Sequence, residues 1–522
     1  MAARFDLLTA PWLPCRRRAG AVEEISLREL LAQPRDWQDL SCSSPLTYAA
    51  LLRLLVALLQ AAFRGPERNR ERAQWLAEGW DTGRLEDYLA RWADRFDLFS
   101  PEHPFYQDPA FTLETADSIA RLAPELASGN NATLFDHTLD QEPPALTPAE
   151  AARWAVTHQL FGLGGGKGPR SNYGTHAYAS HAPTATGVTL LVRGEDLFET
   201  LVLNLVPPAQ RPALWGTAIW ERDFPPPGRR QPDGLLDCLT WPNRSLRLLP
   251  EEEAGRLVVR RVYTAQGSIF PTDGSWRDPY FPFRSTKEGS VPLRMEAGRA
   301  LWRDSGALLG FASRDEARRE GTVAEQPLVL KQLGGLPNPS PVWSLRAVGL
   351  DFNQSRINLW RTDSLELPAA LLSEATAAEL VGSLAHAIQE SEKVADALED
   401  ALDGLAERLL SPNSDVPGAR EKADRKQVTA LVEGWRVTAL YWQALDGPYR
   451  DLLDRLARDP HGAVASWREK LEDAAEQAFT AACELAGDSG RALRARIRAR
   501  EVVTRHWRFR AKSNKERSHD QG

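Results

Sequence analysis

The texture of the chain changes at Leu367. Beyond it, long segments rich in Ala, Leu, Glu, Asp and Arg run with few Pro or Gly inside them, a composition that favours helix. Breakers at Pro412 to Gly418, Gly447-Pro448 and Gly487 to Gly490 separate expected helices at 369–410, 420–445, 449–484 and 491–508, with a potential break at Pro460 to Gly462. Short turns force neighbouring helices to run antiparallel, so residues 369–522 read as a C-terminal four-helix bundle with a basic tail. Residues 1–368 behave differently. Their period changes often, and Gly and Pro interrupt both helical and alternating stretches, which is the pattern of a large mixed α+β domain.

Within that first part, apolar residues at three- and four-residue spacing predict helices at 27–31, 46–63, 70–77, 85–95 and 148–160. Alternation predicts strands at 189–192, at 256–263 and on both sides of Asn353. The Arg222 to Gly234 segment, containing PPPGRRQPDG, reads as a surface loop. The stretch 46–63 is long enough to span a bilayer, but Thr47, Arg53 and Gln60 are costly there; it reads as a buried helix, with no membrane partner. The start MAARFDLLTAPWLPCRRR places its arginines after its apolar residues, the wrong order for a signal peptide. Cys15, Cys42, Cys238 and Cys483 form no CxxC pair, which fits a reducing, cytoplasmic setting. Nine histidines include no HExxH or HxH pair; His176 and His181 share a candidate loop without a metal-ligand pattern. No cofactor, metal site or catalytic residue is expected.

The formal charge, 64 − 71 = −7, excludes a uniformly basic coat for nucleic acid but not a local basic surface. Residues 368–490 hold 12 Lys/Arg against 23 Asp/Glu, and residues 491–522 hold 11 against 3. Arg491, Arg494 and Arg498 fall on one helical face by i, i+3, i+7 spacing. They are candidates for holding a nucleic-acid strand through phosphate, or they belong to a solvated face.

The densest glycine run, Phe161 to Arg170 (FGLGGGKGPR), fails as a P-loop because Phe161 stands where the first glycine is needed and Gly168 where Ser or Thr is needed. No offset gives GxGxxG. What remains is backbone that another molecule can approach closely at Gly164, Gly165 and Gly166, followed by Lys167 and Arg170. A groove edge or a phosphate backbone suits it; so does an ordinary surface loop. Ser344 to Arg361 alternates about Asn353-Gln354 as a hairpin with a polar tip does. A glutamine on such a projection can wedge between base pairs, or the tip is simply a turn. Gly487-Asp488-Ser489-Gly490, superficially like a serine nucleophile segment, reads as an interhelical turn.

In order along the chain, FDLLTAPWLP from Phe5, ISLREL from Ile25, EHPFYQ from Glu102 and VRGEDL from Val192 resemble the signatures of CasA, the large-subunit family of the type I-E CRISPR Cascade complex. The resemblance extends over essentially the whole chain. It implies a non-enzymatic subunit that inspects duplex DNA for the protospacer-adjacent motif, promotes duplex opening and R-loop formation with guide RNA, and docks a helicase-nuclease. The implied partners are the other Cascade subunits, guide RNA, double-stranded target DNA and that nuclease.

By the same resemblance, Gly164, Gly165, Gly166 and Lys167 correspond to a glycine loop along the minor groove, and Asn353, Gln354 and Ser355 to a glutamine wedge. Asn131 and Phe135 correspond to a mobile loop near the motif and the guide-RNA end. The family's lysine finger has no counterpart: 264–274 contains no lysine, while Arg260 and Arg261 just precede it. Either an arginine substitutes or the motif preference differs. Two other classes remain open on the residues alone, a scaffold bridging protein subunits and a nucleotide-dependent enzyme using Lys167.

Overall fold

Leu46 to Phe63 forms, with Pro45, the helix Pro45–Phe63, and every residue from Leu46 on is buried. Ser44 caps it by accepting from the Leu46 amide, Pro45 sits in the first turn, and Arg64 ends it in the left-handed region (φ 48°). It is long and apolar enough to cross a membrane, yet it is the core helix of the mixed part. Its one cation, Arg53, is 1% exposed and pairs with Asp278. The computed structural model describes residues 3–123, 125–126, 142–166, 178–207, 214–272, 276–286, 289–311, 325–337, 339–353, 356–411 and 423–506.

The chain divides into two compact units, Met1–Leu301 with Ala324–Ala369 and Trp302–Val323 with Ala370–Gly522. Residues from Trp302 precede Pro368 in sequence but group with the helical unit. The reason is aromatic: Trp302 stacks on Tyr449 at 4.7 Å, its indole N–H donates to Asp446 at 2.6 Å, and the Ser305 and Tyr449 hydroxyls lie 2.7 Å apart.

The first unit is mixed helix and sheet. Strands Val342–Asn353 and Arg356–Pro368 form the expected hairpin, and Thr189–Arg193 pairs antiparallel on its other side. A second sheet orders Asp117–Ser118, Arg256–Gln266 and Arg244–Glu253. A third joins Val22–Ile25, Leu13–Arg17 and Trp37–Leu40. The loop expected at 222–234 contains a short strand, Gly228–Arg229, which pairs in parallel with Ser268–Ile269; that partner is distant in sequence and leaves no local pattern. The helix expected over 85–95 is Thr82–Arg91 followed by a separate turn at Ala93–Arg95.

In the helical unit, Ala377–Leu410 buries Leu380, Leu384, Ala387, Ser391, Leu398, Leu402 and Leu405, a stripe at helical spacing. Around it, Trp467 donates to the Ala387 carbonyl and Tyr441 to that of Ser391, while Arg468 pairs with buried Glu390 at 2.7 Å. The expected helix over 420–445 is two pieces, Arg425–Trp435 and Val437–Ala444, because Arg436 adopts φ 55°. The one over 449–484 is also two, Asp446–Leu456 and Pro460–Leu485. Asp459 caps the second by accepting from the Gly462 amide at 2.9 Å, with Pro460 at the position where its missing donor is harmless. Gly487, at φ 78°, turns the chain into the last helix, Gly490–His506.

Candidate nucleic-acid interface

The helix Pro148–Phe161 delivers the chain to the glycine run. Thr147 and Glu150 form a reciprocal capping box at its start. Gly162 follows its last residue, and a Cβ there would meet the His158 carbonyl oxygen at 2.5 Å. Two buried side chains then fix the path. Gln159 accepts from the Arg244 amide at 2.8 Å and donates to its carbonyl at 2.9 Å, and the fully buried Arg244 guanidinium donates to the carbonyls of Gly162 (3.3 Å) and Leu163 (2.8 Å). Burial without a carboxylate pushes Arg244 below the ordinary guanidinium value; its cation is balanced by backbone dipoles.

The glycines then differ in what they do. At Gly164 a Cβ would lie 2.5 Å from the Ala179 carbonyl oxygen and 2.9 Å from the His181 amide, so close strand packing demands glycine there. Gly165 and Gly166 form a two-residue strand antiparallel to Tyr178–Ala179. Gly165 is partly exposed, so bare backbone is presented outward.

His181 links this strand to the hairpin. Its Nδ1 accepts from the Gly164 amide at 3.0 Å, and its ring lies 4.6 Å from that of Phe352. The Arg294 guanidinium lies over the other aromatic partner of that pair, 5.6 Å from the Phe352 centroid. Phe352 follows a register shift between Asp351 and Phe352, and the last paired residues are Asn353 and Arg356. A bulge re-aims side chains and tightens twist at the end of a ladder. Asn353, Arg356 and Arg294 are exposed. The glycine strand and the hairpin end, assigned separately from sequence, are therefore neighbours, with two exposed arginines beside them.

Burial, then the charges of Arg244 and Arg294, hold the His181 imidazole below its ordinary 6.5. The unfolded chain binds this proton at a higher pH than the folded chain, so the stability from neutral His181 is present above about pH 6.5 and is lost as pH falls. His181→Asn keeps an acceptor for Gly164 without titrating. The expected outcome is a shallower decline of the unfolding midpoint for the variant than for wild type between about pH 8 and about pH 5; identical slopes would contradict the assignment.

Lys167, Gln354, Ser355, Asn131 and Phe135 lie outside the described residues. Arg260 sits at the register shift of its strand and is engaged: it donates to the Pro143 carbonyl at 2.9 Å and pairs with Glu253 at 2.8 Å and Glu251 at 3.4 Å. With Arg261, Glu142, Pro143 and Glu251 it lines an open cavity of about 460 Å³. Phosphate would have to compete with those carboxylates for Arg260. In the helical unit, Arg491 donates to the Leu409 carbonyl at 3.4 Å, Arg494 is exposed, and Arg498 pairs with Glu501 at 3.6 Å. The adjacent face, one residue on from each arginine and so about 100° round the helix, buries Ala492, Ala495 and Ala499. Sequence reasoning did not assign Phe352, Arg294 or Arg356; Phe352 and Arg356 flank the proposed tip, whereas Arg294 carries no local signal.

The family model for CRISPR-associated protein Cse1 matches residues 6–478. A CasA/Cse1 protein of Thermus thermophilus is 32% identical over 506 residues, covering 94% of this chain and 95% of its own length. The crystal structure of Thermus thermophilus CasA superposes with a TM-score of 0.80 at 27% identity, covering 97% of this chain and 99% of that one. Cse1 from Acidimicrobium ferrooxidans gives 0.79 at 28% identity, over 98% and 99%. A chain of a CRISPR RNA-guided surveillance complex shares the fold, with a TM-score of 0.78 at 23% identity over 96% and 99%. With most of its length matched by the family model and by a relative above 30% identity, the chain belongs to the Cse1 (CasA) family of CRISPR-associated proteins.

Proposed function

We propose that this chain is the non-catalytic large subunit of a type I-E CRISPR RNA-guided surveillance complex, working in the cytoplasm with the other subunits and guide RNA. It reads the protospacer-adjacent motif in duplex DNA through the minor groove, promotes duplex opening and R-loop formation, and docks the helicase-nuclease. The observation that carries the reading is the approach of the Gly165–Gly166 strand to the hairpin end at Asn353 and Arg356, bridged by His181 and Phe352. Bare backbone can lie against a groove floor. Minor-groove readout separates mainly A·T from G·C, and a wedge senses how readily a step deforms, so several motifs can be accepted. Sequence proper is left to guide pairing, the division of labour described for another RNA-guided effector. The helical unit, read as a four-helix bundle whose second and third members are segmented, supplies Arg491, Arg494 and Arg498 for strand phosphates.

The test compares capture and opening of duplexes by the guide-loaded assembly with this chain, without it, and with Gln354→Ala. Motif-dependent capture should require the chain, and Gln354→Ala should slow opening about tenfold or more while leaving initial capture within about twofold, since unstacking a step costs a few kcal/mol that the wedge offsets. Capture and opening indifferent to the chain would favour a scaffold role.

A further inference from the structure

We infer that His181 is a positioning residue that couples the glycine strand to the hairpin, so that groove contact at the strand sets the hairpin for opening; this rests on the function proposed above. The coupling has two halves on one ring. The imidazole Nδ1 accepts the Gly164 amide at 3.0 Å, at the residue whose missing Cβ lets the strand pack. The ring face meets Phe352 at 4.6 Å, one residue before the exposed Asn353 and just past the register shift.

The strand is braced from below by buried Arg244 on the Gly162 and Leu163 carbonyls. Displacement at Gly165 and Gly166 is thereby resisted on the helix side and passed toward His181. The Arg294 guanidinium also lies 5.6 Å from the Phe352 ring centroid, a second contact that a shift of the ring would disturb. Neither half alone joins the two devices. A ring without the acceptor would pack on Phe352 but let go of the strand; an acceptor without the ring would hold the strand but let go of the hairpin.

That asymmetry supplies the test. His181→Asn keeps an acceptor near the Nδ1 position and removes the ring, whereas His181→Phe keeps a ring and removes the acceptor. Within the full guide-loaded assembly, both should slow duplex opening by about tenfold, the fold-change given by a coupling in the middle of the usual range for residues in contact, and change motif-dependent capture by less than about twofold. Combining His181→Asn with Phe352→Leu should slow opening no further than Phe352→Leu alone, and Phe352→Tyr should retain opening.

Multiplicative losses in the double variant would overturn the coupling, as would equal losses in capture and opening. Failure of every variant to join the assembly would also overturn it, by making the contact purely structural. A wild-type assembly that captures and opens duplex without regard to this chain would refute the proposed function itself, a result distinct from normal wild-type opening with uncoupled variants.

Discussion

Gly165→Asp is expected to reduce capture of motif-bearing duplex by the assembled complex on the order of 100-fold, because placing like charges against each other at an interface costs several kcal/mol and each 1.4 kcal/mol is about tenfold. Two effects add. In the proposed interface the side chain would stand where bare backbone at partly exposed Gly165 meets the groove, with its carboxylate facing phosphate. Raising salt screens the second effect but not the first, so the ratio of wild-type to variant affinity should narrow with salt without reaching one. Gly165→Ala adds a small side chain and no charge, so it carries the steric part together with the strain of a side chain at φ 158°, and should fall between. Gly164→Ala is a poorer probe, because its Cβ would meet the Ala179 carbonyl oxygen at 2.5 Å and the strand pair would shift whether or not DNA is present. Capture unchanged by Gly165→Asp at low salt would remove the glycine strand from the interface.

The same region shows what sequence can and cannot convey. The hairpin about Asn353 was legible because alternation is local and its two strands are consecutive. The core helix Pro45–Phe63 was legible because nineteen residues with a capping serine and a proline in the first turn leave little choice. The glycine run was legible as a place of close approach but not as two kinds of glycine. Gly164 is required by packing against residues 179–181, and nothing in the run itself marks that partner. His181 was noticed only as a loop histidine, since its role depends on Phe352, which is far along the chain. The break at Arg436 is likewise silent in the periodicity: the segment reads as continuous helix, yet Arg436 adopts φ 55° between the buried side chains of Trp435 and Val437. Trp302 joins the helical unit through Tyr449 and Asp446, contacts that no periodicity announces.

Arg53 is the cation that argued against a membrane span, and its setting leads to the largest expected change in stability. Its guanidinium donates to both Asp278 oxygens, at 3.0 and 2.7 Å, and lies 4.8 Å from the Tyr280 ring centroid. Burial pushes the guanidinium down, but the Asp278 charge and hydrogen bonds hold it above its ordinary value. Asp278 also accepts from the Tyr280 amide at 3.0 Å.

Asp278→Asn keeps an acceptor for that amide but strands the Arg53 charge inside the core. Removing one partner of a buried pair costs about 3–5 kcal/mol, so the unfolding midpoint of the first unit, which is large and therefore has a large unfolding entropy, should fall by roughly 4–7 °C. Adding Arg53→Met removes the stranded charge and puts a flexible apolar chain in its place. Since replacing a whole buried pair by apolar groups is often neutral, the double variant should recover most of the loss. That recovery distinguishes an uncompensated charge from lost packing: if lost packing were the cause, the double variant would be less stable than Asp278→Asn alone. The pair would then be stabilising beyond its desolvation, and the helix would owe its depth in the core to Asp278 as much as to its leucines.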